Sequence, residues 1–157
     1  WPGVFVEGLA EESFLPVCSP AYAGAAAMAP ADLPKHRLIH SVKAQVQWSQ
    51  WFALAGAVPE VEWRRLLFDR SHMAIDAAAD GLGVALESTL MMWRELRDGA
   101  LVCPVRNPPR VTLTTQWIVC PFDHLHKAKV RLFLEWLRAE RVIWQDQRPA
   151  FGVAQTI

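Results

Sequence analysis

Hydrophobic side chains recur along this chain at two spacings, one typical of helices and one typical of strands. In residues 47–55 they lie three and four positions apart, which places them on one face of a helix. Gly56 follows where helices commonly end, and Trp48 and Trp51 are expected to belong to the core. A longer helix is predicted at residues 127–144, where Lys, Arg and Glu flank an apolar stripe.

Short apolar runs bounded by turn residues predict strands. They lie at residues 13–18, 37–40, 63–68, 83–86, 101–102 and 113–119. Between them, Ser71 is predicted to cap a helix that Gly81 closes, and Ser88 to cap another that ends at Gly99. Prolines at 20, 30 and 34 favour loops and short turns. Strands that alternate with helices predict an α/β fold with a largely parallel sheet.

The composition narrows the class of protein. Of 157 residues, 52% are hydrophobic and 20% are charged, as in a globular domain rather than a disordered chain. The 16 basic residues balance 16 acidic ones, so charge gives no reason to expect nucleic acid or an anionic membrane as a direct partner. Apolar stretches are too short for a membrane helix, and the start does not resemble a secretory signal. Three cysteines without CxxC spacing indicate a reducing cytoplasm.

Polar side chains follow three predicted strands at the point where each strand ends. The strand at 37–40 ends at His40 and leads into Ser41, the strand at 63–68 leads into Asp69, Arg70, Ser71 and His72, and the strand at 83–86 leads into Glu87 and Ser88. Ligands bind outside the carboxyl ends of the strands in an open α/β sheet. Two of these ends pass directly into a predicted helix, whose free N–H groups favour a carboxylate or phosphate. The alternative, which spacing alone favours, is that Ser71 and Ser88 only cap their helices.

Neither a metal site nor covalent catalysis is predicted, and no cofactor is expected. His36 and His40 would lie about 13 Å apart on a strand, too far for one ion. Asp123 is expected to cap a helix rather than to join His124 and His126 in a metal site. The cysteines are interpreted as small buried hydrophobic residues because no helix N-terminus lowers their pKa. They are Cys18, Cys103 and Cys120.

Several short motifs, in this order and spacing, resemble the effector-binding domain of LysR-type transcriptional regulators. They are LPVCSP at 15–20, DLP at 32–34, LIH at 38–40, WxxW at 48–51, FDRS at 68–71, AAxxGxGVAL at 77–86, DGALV at 98–102, WIVCP at 117–121 and FLxWL at 133–137. The branch that this chain resembles most contains glycine-cleavage activators and β-lactamase regulators. The likeness extends to about Ala139.

The resemblance implies a fold like the type 2 periplasmic binding proteins. In that fold two α/β lobes are joined by two crossover strands, and a metabolite lies in the cleft between them. Mapped onto this chain, the crossovers fall at residues 15–19 and 118–121. One lobe would cover residues 20–117, and the other residues 1–19 and 118–157. Cys18 and Cys120 would then lie near one another as free thiols.

The residues that line the family's cleft match positions already noted at the strand ends, above all Ser71. The resemblance adds the strand that ends near Gln116 and Trp117. The candidate ligand-binding residues are therefore Ser19, His40, Ser41, Asp69, Arg70, Ser71, His72, Glu87, Gln116 and Trp117. Arg70 departs from the family pattern, in which Asp or Ser is usual, and it either favours an anionic ligand or faces solvent. An aromatic is usual where Gln116 and Trp117 stand.

These features predict the sensory domain of a LysR-type regulator that is cytoplasmic and, at full length, homo-oligomeric. Its expected partner is a small anionic or amino-acid-like effector. The chain begins at Trp1, and nothing in it matches the family's DNA-binding winged helix-turn-helix, its linker helix or the first strand and helix of the effector domain. A truncated domain that contacts DNA only through the missing part is therefore expected. The alternative is a transporter's solute-binding protein, which shares the fold. An enzyme on this scaffold would need a positioned base and nucleophile, and the sequence indicates none.

Overall fold

The protein divides into two units that share the chain unevenly. The structure is a computed structural model that describes residues 2–24, 27–57 and 65–146. Unit 2 is the continuous segment Ser13–Thr112, and the described part of unit 1 comprises residues 2–12 and 113–146. Over the described residues the chain therefore passes between the units twice, after Glu12 and after Thr112, whereas the sequence placed the two crossovers at residues 15–19 and 118–121. The division into lobes given above stays a prediction.

In the described part of the chain, five strands form one sheet in the order β3-β2-β4-β1-β5. They are β1 (Val4–Val17), β2 (Leu38–Ser41), β3 (Arg65–Phe68), β4 (Val84–Ser88) and β5 (Val111–Pro121). Strand β2 runs parallel to both β3 and β4, but β1 runs antiparallel to β4. The expectation of an α/β fold is confirmed. The sheet is mixed rather than largely parallel, because β1 enters it in the opposite direction.

Five α-helices and two 3-10 helices accompany the strands in the same described ranges. They are α1 (Pro20–Ala23), α2 (Trp48–Leu54), α3 (Ser71–Ala79), α4 (Trp93–Arg97) and α5 (Ala128–Asp146), with 3-10 turns at Pro30–Lys35 and Phe122–His126. The predicted helices at 47–55 and 127–144 are confirmed as α2 and α5. Gly56 and Gly81 follow α2 and α3 with φ of 64° and 75°, a left-handed conformation that glycine adopts without strain.

Three predicted caps are wrong. Ser71 is the first helical residue of α3, and Arg70 holds the cap position. Ser88 is the last residue of β4, because Glu87 and Ser88 pair with Leu15 and Phe14 of β1 and prolong the strand. Its hydroxyl instead accepts a hydrogen bond from the Leu90 N–H at 3.1 Å, and α4 begins only at Trp93. The third, Asp123, lies inside the 3-10 turn.

Two predicted strands differ most from the structure in length, and the strands predicted at 83–86 and 113–119 are also longer in the structure, as β4 and β5. Residues 13–17 of the strand predicted at 13–18 belong to the much longer β1, which continues back to Val4, and Cys18 lies just beyond its end. The strand at 101–102 is reduced to a single bridge between Val102 and Cys18. Residues 63 and 64 of the predicted third strand lie outside the described residues.

The core of unit 2 is built around the aromatic face of α2. Trp48 stacks on Phe52 with ring centroids 5.4 Å apart and meets Trp51 edge-on at 5.8 Å. The Trp48 indole N–H donates to the Ile39 carbonyl at 3.0 Å, and the Trp51 indole N–H to the Pro109 carbonyl at 3.1 Å. Both indoles thus bury their rings and keep a hydrogen-bond acceptor, which confirms their predicted place in the core.

Unit 1 combines the first part of β1, most of β5 and helix α5. Arg138 of α5 makes a two-pronged ion pair with Glu7 of β1, with Nε to Oε1 at 3.1 Å, and this pair holds the pKa of Glu7 below its usual value. The hydroxyl of Thr115 on β5 donates to the buried carboxylate of Glu12. No helix in the described ranges has the length and apolarity to span a membrane.

The three cysteines are free thiols in different surroundings. Cys18 is buried as predicted, and burial raises its pKa to about 12. Cys103 is exposed, so its predicted burial is wrong, because it follows the bridge at Val102 where the chain leaves the sheet. Cys120 is half-buried in unit 1, and its predicted proximity to Cys18 of unit 2 stays a prediction.

Candidate functional site

The carboxyl ends of β2 and β4 meet the first turn of α3 within unit 2. Ser41 is the last residue of β2, and its hydroxyl lies 3.5 Å from the hydroxyl of Ser71, the first residue of α3. The Ser71 hydroxyl also hydrogen-bonds the carboxyl group of Glu87, the penultimate residue of β4. Ser41, Ser71 and Glu87 therefore form one connected polar cluster, which we call the serine–glutamate cluster.

Strand geometry explains why Glu87 faces α3. Successive side chains on a strand point to opposite faces of the sheet. Val84 and Leu86 belong to the aromatic core, so Ala85 and Glu87 lie on the other face, which α3 covers. The same alternation places Ser41 on the α3 face and His40 on the face of Trp48, whose ring centroid is 6.4 Å away.

Glu87 is buried without full compensation. Its side chain is only 1% exposed, and within the described residues its Oε1 has no hydrogen-bond partner. Burial raises the pKa of Glu87 from 4.5 to about 7, against the hydrogen bonds from Ser71 and the Ser88 N–H, which favour the ionised form. Burying an ionised carboxylate with one oxygen that accepts no hydrogen bond costs free energy. The carboxyl group is therefore either protonated or completed by a donor from a bound ligand.

His40 is buried at 9% exposure but does not join the serine–glutamate cluster. Burial, with a smaller contribution from the charge of Arg65, lowers the pKa of His40 to about 4. The imidazole is therefore neutral at physiological pH. It packs beside Trp48 as part of the aromatic face rather than facing α3.

Three of the candidate residues form an exposed rim directly before and within α3. Asp69 and Arg70 form a loose ion pair, with Nη1 to Oδ2 at 3.7 Å, and the same Nη1 donates to the Asp69 carbonyl at 3.3 Å. His72, the second residue of α3, is exposed. Arg70 thus faces solvent and is partly neutralised by Asp69.

Ser19 belongs to unit 2 but lies away from the serine–glutamate cluster, whereas a place for Gln116 and Trp117 in the effector site stays a prediction. The Ser19 hydroxyl caps α1 by accepting from the Tyr22 N–H at 3.4 Å, and its N–H donates to the Ala78 carbonyl at 3.0 Å. Ala78 lies near the end of α3, about 10 Å along the helix from Ser71. Gln116 and Trp117 are exposed residues of β5 in unit 1.

Gln47 supports the cluster and was not anticipated from the sequence. Its side-chain amide donates to the Ser41 carbonyl at 3.3 Å and to the Ala44 carbonyl at 2.7 Å. These bonds fix the turn that follows β2 and so the position of Ser41. The available signal was a polar residue just before the α2 pattern, a place where a side chain often satisfies backbone groups.

The pH dependence of stability should reveal the burial of Glu87. Since its pKa is higher in the folded than in the unfolded chain, its stabilising contribution is present below pH 4.5 and is lost as pH rises towards about 7. The unfolding free energy of Glu87→Gln minus that of wild type should therefore increase by about 3 kcal/mol as the pH is raised from 4.5 to 8. Urea denaturation at several pH values measures this difference.

The exposed Glu140 on α5 provides the matched control, since Glu140→Gln removes one negative charge without altering a buried site. His40 acts in the opposite direction, because its contribution is lost as pH falls from 6.5 towards about 4. Its effect is common to wild type and variant and cancels in the difference. A difference that stayed flat with pH would show that Glu87 titrates normally.

These features define a class of protein by its fold: an α/β domain of two units joined by two long strands, like the type 2 periplasmic binding proteins. The family model for the LysR substrate binding domain matches residues 1–141. The chain belongs to that family.

Relatives and solved structures agree with this assignment. The chain is 40% identical over 134 residues to the HTH-type transcriptional regulator PerR of Escherichia coli K12, covering 84% of this chain and 44% of that protein. It is 33% identical over 149 residues to the glycine cleavage system transcriptional activator of the same organism, covering 94% and 48%. The effector domain of AmpR from Pseudomonas aeruginosa superposes with a TM-score of 0.74 at 27% identity, covering 93% and 69%. The chain thus spans about half the length of the curated relatives it matches.

Proposed function

We propose that this chain senses a small-molecule effector for a LysR-type transcriptional regulator, and that the serine–glutamate cluster is part of its effector site. The observation that carries the proposal is the Glu87 carboxyl, buried at the carboxyl end of β4 with one oxygen lacking a partner among the described residues. In a protein of this family such a group is better explained by a ligand than by packing, because replacing it with an apolar residue would remove the cost of its burial.

The position of the cluster supports the same role. Ligands in open α/β sheets bind at the carboxyl ends of the strands, and Ser41 and Glu87 occupy two such ends. The nine-residue helix α3 begins beside them with N–H groups that have no acceptor within the helix. Hydroxyls, a carboxyl group and free N–H groups can together orient a small polar molecule.

The curated relatives support a proposal for the remaining properties of the full-length regulator. We propose that DNA is contacted by a separate part of a longer, homo-oligomeric cytoplasmic protein, and that this chain carries no catalytic activity. The curated relatives are regulators of transcription, which favours this role over that of a transporter's solute-binding protein.

A thermal-shift screen of amino acids, organic acids and peptidoglycan fragments tests the proposal on this chain and on the longer regulator. An effector at 100 times its Kd should stabilise the protein by about 2.7 kcal/mol. Ser71→Ala should weaken binding about tenfold, because it removes a hydroxyl from the centre of the cluster. Isothermal titration measures the change in Kd.

Ser49→Ala is the matched control, because Ser49 is an exposed serine on α2. This variant should bind as tightly as wild type. An effector whose Kd is the same in wild type and in Ser71→Ala would exclude the cluster as its site. If no compound in the screen stabilised either protein, the sensory role itself would be rejected.

A further inference from the structure

We infer that the effector is an α-amino acid, whose ammonium group binds Glu87 and whose carboxylate binds the first turn of α3. This inference rests on the proposed function and names the chemistry of the same site. Glu87 and the first residue of α3, Ser71, are already in contact, so both ends of a small zwitterion have a partner within the cluster.

Glu87 provides the partner for the ammonium group. Its Oε1 needs a hydrogen-bond donor that the described residues do not supply. Within those residues, the groups that shift its pKa are the Ser71 side chain and the Ser88 N–H, and no basic side chain is among them. A protonated amine brings both the missing donor and the missing positive charge.

A second buried glutamate does not share this deficit. Glu12 is 2% exposed, nearly as buried, yet it accepts a hydrogen bond from the Thr115 hydroxyl. Both carboxylate oxygens of Glu12 are absent from the buried polar atoms without a partner in the described residues. At Glu87 the fold leaves one oxygen open beside the start of a helix.

The first turn of α3 provides the partner for the carboxylate group. The first backbone hydrogen bond entering this helix is from the Ala74 N–H to the Arg70 carbonyl, at 3.4 Å. Helix geometry leaves the N–H groups of residues 71–73 without intrahelical acceptors, and the helix dipole favours a negative charge there. The Ser41 and Ser71 hydroxyls, only 3.5 Å apart, can turn towards the same carboxylate.

A purely structural role for Glu87 makes a different prediction. A carboxylate near a helix N-terminus stabilises the helix. If this were its whole role, Glu87→Gln would change stability and leave the relative affinity of charged and uncharged ligands untouched. Ligand discrimination therefore separates the two roles.

The test uses the amino acid that binds best in the screen, together with its deaminated acid and its decarboxylated amine. Wild-type protein should bind the amino acid at least about tenfold more tightly than either analogue. Glu87→Gln should weaken amino-acid binding by about 100-fold, and should change binding of the deaminated acid by less than about threefold. Isothermal titration at pH 8 gives each Kd.

Two further variants keep the outcome interpretable. Glu87→Asp retains the charge on a shorter side chain and should bind the amino acid more tightly than Glu87→Gln does. Glu140→Gln, on the exposed surface of α5, should match wild type for all three compounds. Equal losses for the amino acid and its deaminated acid in Glu87→Gln would overturn the inference. An effector without an amine that depends on Ser71 would also overturn it, while leaving the proposed function intact.

Discussion

Gly83→Ala should destabilise unit 2 by about 3 kcal/mol or more. A Cβ atom at this position would lie 2.3 Å from the backbone oxygen of Arg37. That oxygen accepts the N–H of Val84 at 2.9 Å where β2 and β4 begin to pair. The collision is between backbone groups, so no side-chain rotation relieves it, and the two parallel strands must separate.

Gly56→Ala separates this effect from the ordinary cost of losing a glycine. Gly56 has a φ of 64°, but a Cβ atom added there would meet nothing within 4 Å, so the substitution should cost only about 1 kcal/mol. Urea denaturation of both variants at one pH gives the comparison. If Gly83→Ala cost no more than Gly56→Ala, the close approach of β4 to Arg37 would be wrong.

Trp48→Ala should cost about 3–5 kcal/mol in unfolding free energy. The indole is 1% exposed, stacks on Phe52 and donates to the Ile39 carbonyl. Its removal opens a cavity at the centre of the aromatic core. It also removes the N–H group that donates to the Ile39 carbonyl of the buried strand β2. Chemical denaturation followed by far-UV circular dichroism measures the loss.

One further substitution separates the cost of lost packing from that of the lost hydrogen bond, and another serves as a control. Trp48→Phe keeps an aromatic ring but loses the donor, and should cost about 1–3 kcal/mol. Leu54→Ala changes a side chain that is 61% exposed on the same helix, and should stay within about 0.5 kcal/mol of wild type. A Trp48→Ala variant as stable as Leu54→Ala would contradict the buried position of the indole.

Local sequence patterns predicted the elements whose ends depend on local chemistry. The apolar spacing was sufficient to predict helix α2, and the glycines that follow α2 and α3 were sufficient to predict where these helices end. Helix periodicity and a left-handed backbone are both properties of a short segment. Ser88 was misplaced for the opposite reason. Its residue type favours a helix cap, but pairing with Phe14, distant in the sequence, holds it in β4.

The site was predicted only in part, because the sequence does not reveal which face of a strand a helix covers. All residues of β2 and β4 are buried, so the usual alternation of polar and apolar positions is absent. Because His40 and Ser41 are neighbours at the end of one strand, both were predicted to belong to the same ligand site. The structure separates them across the sheet, and it also places Ser19 near the far end of α3 from Ser71.

The uneven division of the chain has a consequence for how the protein folds. The parts of β1 and β5 that belong to unit 1 flank an intervening segment of about 100 residues, and closing so long a loop carries an entropic cost before any contact rewards it. Within unit 2, the pairing of β2 with β3 and β4 spans shorter separations, as between Leu38 and its partners Arg65 and Val84. We therefore expect unit 2 to fold first and to bring the two segments of unit 1 together. The assembly of unit 1 is then the slower step, and its rate is limited by contact order rather than by the size of the core.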